Sequence, residues 1–193
     1  MKSITVFCGS SSGFESVYQT QAILLGKTLA ENNIRIIYGG AKVGLMGAVA
    51  DAALSNGGEV VGVLPHFLRS KEIAHRGLTE LILVESMHER KIKMHELSDG
   101  VIALPGGFGT LEELFEILTW AQLGLHKKPI GLLNIDGYYD QLTMLLQHMV
   151  DKGFLKETNQ HMLLASSDPD QLLKKMRDYT APVVAKWITD DEV

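Results

Sequence analysis

Runs of apolar, β-branched residues alternate with helix-period patterns along nearly the whole chain, and this alternation restricts the fold more than any other feature. Strand-like runs at residues 4–8, 34–38, 59–64, 81–84, 100–104 and 129–134 are interleaved with helical patterns at 18–31, 45–54, 87–97, 111–123 and 138–150. A further strand is expected at 161–165, and Asp168 before Pro169 is placed to cap a closing helix. Such a chain folds as a Rossmann-like, doubly wound α/β domain, its mostly parallel sheet covered by helices on both faces. A length of 193 residues suits a single domain over 1–193, with the tail 181–193 packing on the body or fraying.

In doubly wound sheets ligands lie outside the carboxyl ends of the strands, where the connections reverse direction. Three such ends are rich in small residues here: Gly9-Ser10-Ser11-Ser12-Gly13, the segment 39–47 with Gly39, Gly40, Gly44 and Gly47, and Pro105-Gly106-Gly107. Each alone is compatible with turn chemistry. Three at one edge point to a continuous ligand cleft.

The third cluster belongs to the run Pro105-Gly106-Gly107-Phe108-Gly109-Thr110-Leu111-Glu112-Glu113. Its glycines let backbone approach a ligand, and the helix that follows offers unpaired N–H groups and positive potential to an anion. Thr110 as N-cap with Glu113 three residues on also reads as a capping box, so local chemistry leaves Glu113 either a cap or an acid beside a phosphate. No Gly-Lys-Ser/Thr follows, which excludes a Walker loop, and a dinucleotide fingerprint belongs at the first strand. The segment Met87-His88-Glu89-Arg90-Lys91, on the helix entering the glycine-loop strand, reads either as a solvated face or as the basic partner of such a site.

A formal net charge of −5 and the lack of a basic run argue against nucleic-acid binding. No apolar run reaches the length of a membrane span and the start is too strand-like for a secretory signal, so a cytoplasmic soluble protein is expected. Cys8 is the only cysteine and the seven histidines are scattered, so no metal site is expected.

Together, Met87-His88-Glu89-Arg90-Lys91 and the run from Pro105 to Glu113 resemble the paired signature of the LONELY GUY family, the cytokinin riboside 5′-monophosphate phosphoribohydrolases. The resemblance extends to Val6-Phe7-Cys8-Gly9-Ser10-Ser11, to the segment 38–47 and to Thr119-Trp120-Ala121-Gln122-Leu123-Gly124. It implies hydrolysis of the N-glycosidic bond of N6-substituted AMP to free base and ribose 5-phosphate. Family members once carried a lysine decarboxylase label. That label implies pyridoxal phosphate, for which no Schiff-base lysine context stands out, so no cofactor is expected.

Carried over by position, the resemblance implies Arg90 and Glu113 as the catalytic pair, with Glu72, Lys91, Gly107, Phe108, Gly109, Thr110, Leu111, Glu112 and Thr119 contacting substrate. The wording around Glu72, Phe67-Leu68-Arg69-Ser70-Lys71-Glu72-Ile73, departs from the plant-type pattern. The resemblance also implies a homodimer with pockets near the subunit contact, and Met87, Met94 and the face around Trp120 are candidates for that contact or for core. Within the chemistry, Glu113 stabilises charge on the ribose or activates water, and a fixed cation beside it is expected to keep it ionised. Arg90 is open between binding phosphate, orienting Glu113 and assisting the base. Two other functions share the cleft: a general purine nucleotide nucleosidase acting on AMP, and a nucleotide-binding sensor without chemistry.

Overall fold

A computed structural model describes residues 1–69 and 74–183. The strands are β1 (Ser3–Phe7), β2 (Arg35–Tyr38), β3 (Val60–Pro65), β4 (Glu80–Val84), β5 (Gly100–Ala103), β6 (Ile130–Leu133) and β7 (Leu163–Ser166). The helices are α1 (Ser16–Glu31), α2 (Gly44–Ser55), α3 (His66–Arg69), α4 (Met87–Glu96), α5 (Phe108–Gln122), α6 (Asp140–Asp151), α7 (Glu157–Gln160) and α8 (Pro169–Asp178). The short turns α3 and α7 have too few residues to show a helical period in the sequence.

All seven strands run parallel in the order β4-β3-β2-β1-β5-β6-β7. Strand side chains alternate between two apolar layers, as expected where both faces are covered. Ile4, Val6, Ile36 and Ile102 pack with Leu25 and Leu29 of α1, Val49 of α2 and Leu172 of α8. Phe7, Ile37, Val63 and Val101 pack with Met94 of α4 and Leu114 and Ile117 of α5. Met94 is fully buried in that second layer, so it serves the core rather than a subunit contact, whereas Met87 is 42% exposed. Asp168 caps α8 as expected, accepting the Gln171 N–H at 2.8 Å.

The chain winds outward from β1 to β4, returns to the other side of β1 as β5, and winds outward again. The reversal therefore lies between β1 and β5, and the two loops that leave them meet there, with Gly9 N donating to Pro105 O at 3.0 Å. A Cβ on Gly106 would sit 2.1 Å from Thr110 Oγ1 and 2.9 Å from Gly9 N, so only glycine permits this approach.

The far ends of α4 and α5 are joined by a histidine pair. The His95 ring lies edge-on to Trp120 at 5.4 Å and 4.8 Å from His126, whose nitrogens are engaged by Ile117 O and Lys128 N. Burial, with the Lys128 charge and His126, pushes His95 down to about 4. A base held below its ordinary 6.5 takes up a proton more readily unfolded than folded, so its contribution to stability is whole above 6.5 and is lost as pH falls toward 4. Thermal melts from neutral to pH 4 should show that acid loss in the native chain and a shallower one in His95→Phe; equal slopes would contradict it.

Candidate active site

The start of α4 is set by Ser86, whose hydroxyl accepts the Glu89 N–H at 3.1 Å, while the Glu89 carboxylate accepts the Glu85 N–H at 2.7 Å. The Ser-x-x-Glu spelling thus yields a variant of the capping box, in which the glutamate reaches the N–H one residue before the N-cap Ser86. It fixes the first turn, from which Arg90 turns inward to 8% exposure. Arg90 Nε donates to Val63 O at 3.2 Å and Nη1 to Glu113 Oε1 at 2.8 Å. A Cβ on Gly39 would fall 2.2 Å from Arg90 Nη2, so the guanidinium lies directly on the Gly39 backbone.

The expected capping box around Thr110 does not form. Helix α5 begins at Phe108, with extended Gly107 as N-cap and no side-chain cap. Gly107 O already accepts the Leu111 N–H at 3.1 Å, and Thr110 is buried against Gly106 inside the helix. The Glu113 carboxylate is thereby released from capping and meets Arg90. The N–H groups at the start of α5 remain open toward the cleft by helix geometry.

Both members of the pair are nearly buried, with side-chain exposures of 10% each. Burial pushes the Glu113 carboxyl above its ordinary range; the charge and hydrogen bond of Arg90 pull it back without cancelling the rise. Arg90 thus acts on the carboxyl in the expected direction, and desolvation is the larger of the two influences.

The pair faces a cleft of ≈ 430 Å³ that the three small-residue clusters do form together: Gly9 and Ser10, then Gly39, Ala41 and Val43, then Gly107 to Thr110. Glu112 and Glu113 complete that side, and Met46, Leu64, Leu68 and Met87 supply an apolar wall that no pattern in the sequence announced. Among the described residues, Lys91, Leu111 and Thr119 are not part of the cleft wall. Lys91 staples α4 to α5 through Glu112 Oε1 at 2.5 Å and Glu116 Oε1 at 3.0 Å. Thr119 Oγ1 donates to Phe115 O at 2.7 Å. Glu72 lies outside the described residues.

A larger hollow of ≈ 660 Å³ lies at the opposite ends of the strands, around Met1, Asn33 and Arg35. Its Arg35–Glu59 ion pair is half exposed, unlike the nearly buried Arg90–Glu113 pair. Cys8 sits in the cleft wall, where burial first and the Glu113 charge second push its thiol up, away from a reactive thiolate. A Schiff-base cofactor would need a lysine that readily gives up its proton. Among the described residues the wall holds no lysine, and burial lowers Lys91 by less than its two carboxylates raise it. Among the described residues, the cleft wall therefore offers pyridoxal phosphate no Schiff-base lysine.

A family model described as "Possible lysine decarboxylase" matches residues 46–176. A probable cytokinin riboside 5′-monophosphate phosphoribohydrolase of Oryza sativa subsp. japonica is 46% identical over 92% of this chain and 72% of its own length. A cytokinin riboside 5′-monophosphate phosphoribohydrolase of Arabidopsis thaliana is 46% identical over 92% of this chain and 84% of its own. Among solved structures, a molybdenum cofactor binding protein from Rippkaea orientalis superposes with a TM-score of 0.70 at 21% identity, covering 92% of this chain and 97% of that one. The molybdenum cofactor carrier protein of Chlamydomonas reinhardtii does so with 0.66 at 19%, over 91% and 96%. These structures share the fold alone. The relatives, together with Arg90 and the glycine loop through Glu113 lying side by side in one cleft, place the chain in the LONELY GUY family of cytokinin riboside 5′-monophosphate phosphoribohydrolases.

Proposed function

We propose that this protein hydrolyses the N-glycosidic bond of N6-substituted AMP, releasing the free base and ribose 5-phosphate. The observation that carries the reading is the buried Arg90–Glu113 pair, 2.8 Å apart, beside the open N-terminus of α5. The 5′-phosphate is held by the backbone N–H groups at the start of α5, where helix polarity favours an anion. Anchoring there fixes the sugar, so that its anomeric carbon meets Glu113.

As the C–N bond breaks, its electron pair leaves with the base and positive charge builds on the ribose ring. The Glu113 carboxylate faces that charge and takes a proton from the attacking water, whose oxygen bonds to the anomeric carbon; the departing base takes a proton from solvent, and Glu113 returns its own to solvent. Arg90 holds Oε1, leaving Oε2 to work, and its charge and hydrogen bond oppose the rise that burial imposes on the carboxyl. Arg90 is therefore the orienting group of the pair.

The apolar wall of Met46, Leu64, Leu68 and Met87 supports an apolar substituent on the base. Thr119, off the cleft of its own chain, touches substrate only if a second copy presents α5 to the site, which is the arrangement a homodimer would supply. A panel of nucleoside 5′-monophosphates, assayed for released base by chromatography, tests the reading. The expected result is release from N6-prenylated AMP at higher kcat/KM than from AMP. Faster turnover of AMP would make the protein a general purine nucleotide nucleosidase, and nucleotide binding with no base from any substrate would make it a sensor.

A further inference from the structure

His75 is buried to 6% exposure yet stands outside the cleft wall. Both ring nitrogens are committed. Nδ1 accepts the Gly77 N–H at 3.0 Å, which leaves the proton on Nε2, 2.9 Å from Asp51 Oδ1 on α2. The ring thus locks residues 75–77 onto α2. The same segment is tied to the cleft by its backbone: His75 N donates to Gly40 O at 2.9 Å, and Ala74 pairs with Ala41 in an isolated antiparallel bridge.

The residue preceding this fastened stretch is Gly39, the surface on which the Arg90 guanidinium lies. Three things therefore place that guanidinium: Val63 O at Nε, Glu113 at Nη1, and the Gly39 backbone against Nη2. The first two lie in a strand and a helix of the core. The third is in a loop, where a backbone shift of a few tenths of an ångström moves the plane on which the guanidinium rests.

We propose that His75, held by Asp51, is a positioning residue that fastens residues 39–41 and so seats Arg90 against Glu113. It touches neither substrate nor the reacting atoms. This inference rests on the proposed hydrolysis for its kinetic readout, and on the seat of Arg90 for an independent one.

The test uses Asp51, because its side chain is 58% exposed and its loss opens no core cavity, whereas His75→Ala would hollow a buried site. Asp51→Ala removes the acceptor; Asp51→Asn keeps an oxygen for Nε2–H. Two quantities are measured on the full chain: steady-state hydrolysis of N6-prenylated AMP, and solvent exchange of the Arg90 Nε–H by NMR without substrate. Since small misplacements of an orienting group cost rate rather than affinity, Asp51→Ala should lower kcat about tenfold with KM nearly unchanged, and should speed Nε–H exchange to a similar degree. Asp51→Asn should restore both. Native exchange in Asp51→Ala overturns the inference, as does a raised KM at native kcat, or equal impairment in the alanine and asparagine variants. Should the native chain release no base while exchange still separates the two variants, the seat stands and the hydrolase reading falls. Should Asp51→Ala match the native chain in both measurements, the hydrolase reading stands and the seat falls.

Discussion

Glu113→Gln is expected to fold, to bind nucleotide and to release base about a thousandfold more slowly than the native chain, the scale typical of removing a general base or charge-stabilising carboxylate. The amide matches the carboxylate in size, and its oxygen can still accept from Arg90 Nη1, so the packing around residue 113 survives. What disappears is negative charge at the anomeric carbon and the ability to take a proton from water. Phosphate binding at the start of α5 does not depend on that charge. KM should accordingly change little while kcat collapses, the pattern of an interaction made in the transition state. Leaving Arg90 buried against a neutral partner costs on the order of 1–3 kcal/mol, so a lowered melting temperature is part of the expectation. Native turnover in this variant would return Glu113 to a purely structural role, that of counterion to Arg90.

Arg90→Ala is expected to do more damage to the fold and comparable damage to the rate. Removing one member of a buried ion pair strands the other, at about 3–5 kcal/mol. The stranded group here is a carboxyl that burial already pushes up, and losing Arg90 removes the main force pulling it down. Its folded pKa rises further. A reaction that needs the ionised carboxylate then has its acid limb displaced to higher pH, so residual activity should recover as pH is raised. Stability moves the opposite way. An acid whose folded pKa lies above its unfolded value favours the fold while protonated, and that contribution is lost as pH rises through the folded value. Melting temperature and kcat/KM of Arg90→Ala should therefore trend in opposite directions from mildly acidic to neutral pH. Arg90→Lys should rescue little, because a single ammonium cannot reach Val63 O and Glu113 Oε1 together in the fork geometry of a guanidinium. Full activity with an unshifted pH profile in Arg90→Ala would remove it from the account.

Much of this was legible in the residues. The alternation of strand runs and helix patterns yields a sheet covered on both faces because Ile4 and Val6 must be buried on one side and Phe7 on the other. The glycine clusters mark the crevice because backbone there must touch backbone, as Gly9 and Gly106 do. The start of α5 lies three residues before the position its cap signature suggests, since Thr110 carries that signature while Gly107 takes the cap position with no side chain to advertise it. The direction of the Glu113 shift was beyond the sequence, because burial is a property of the packed cleft and outweighs a neighbour that is visible as Arg90. The apolar wall was hidden for a simpler reason. Leu64, Leu68 and Met87 look like any core residue until the topology turns them toward the cleft. Lys91, matched to substrate by resemblance, is engaged in the fold by Glu112 and Glu116, partners that its sequence neighbours do not announce.

The central claim is that the cleft holding Arg90 and Glu113 adds water across an N-glycosidic bond. Its most direct test is to incubate the native chain with N6-prenylated AMP in heavy-oxygen water and identify both products by mass spectrometry. Free N6-prenyladenine and ribose 5-phosphate in equal amounts, with the heavy oxygen on the sugar, are predicted. Intact nucleotide, or base released alongside a sugar that carries no solvent oxygen, would contradict it.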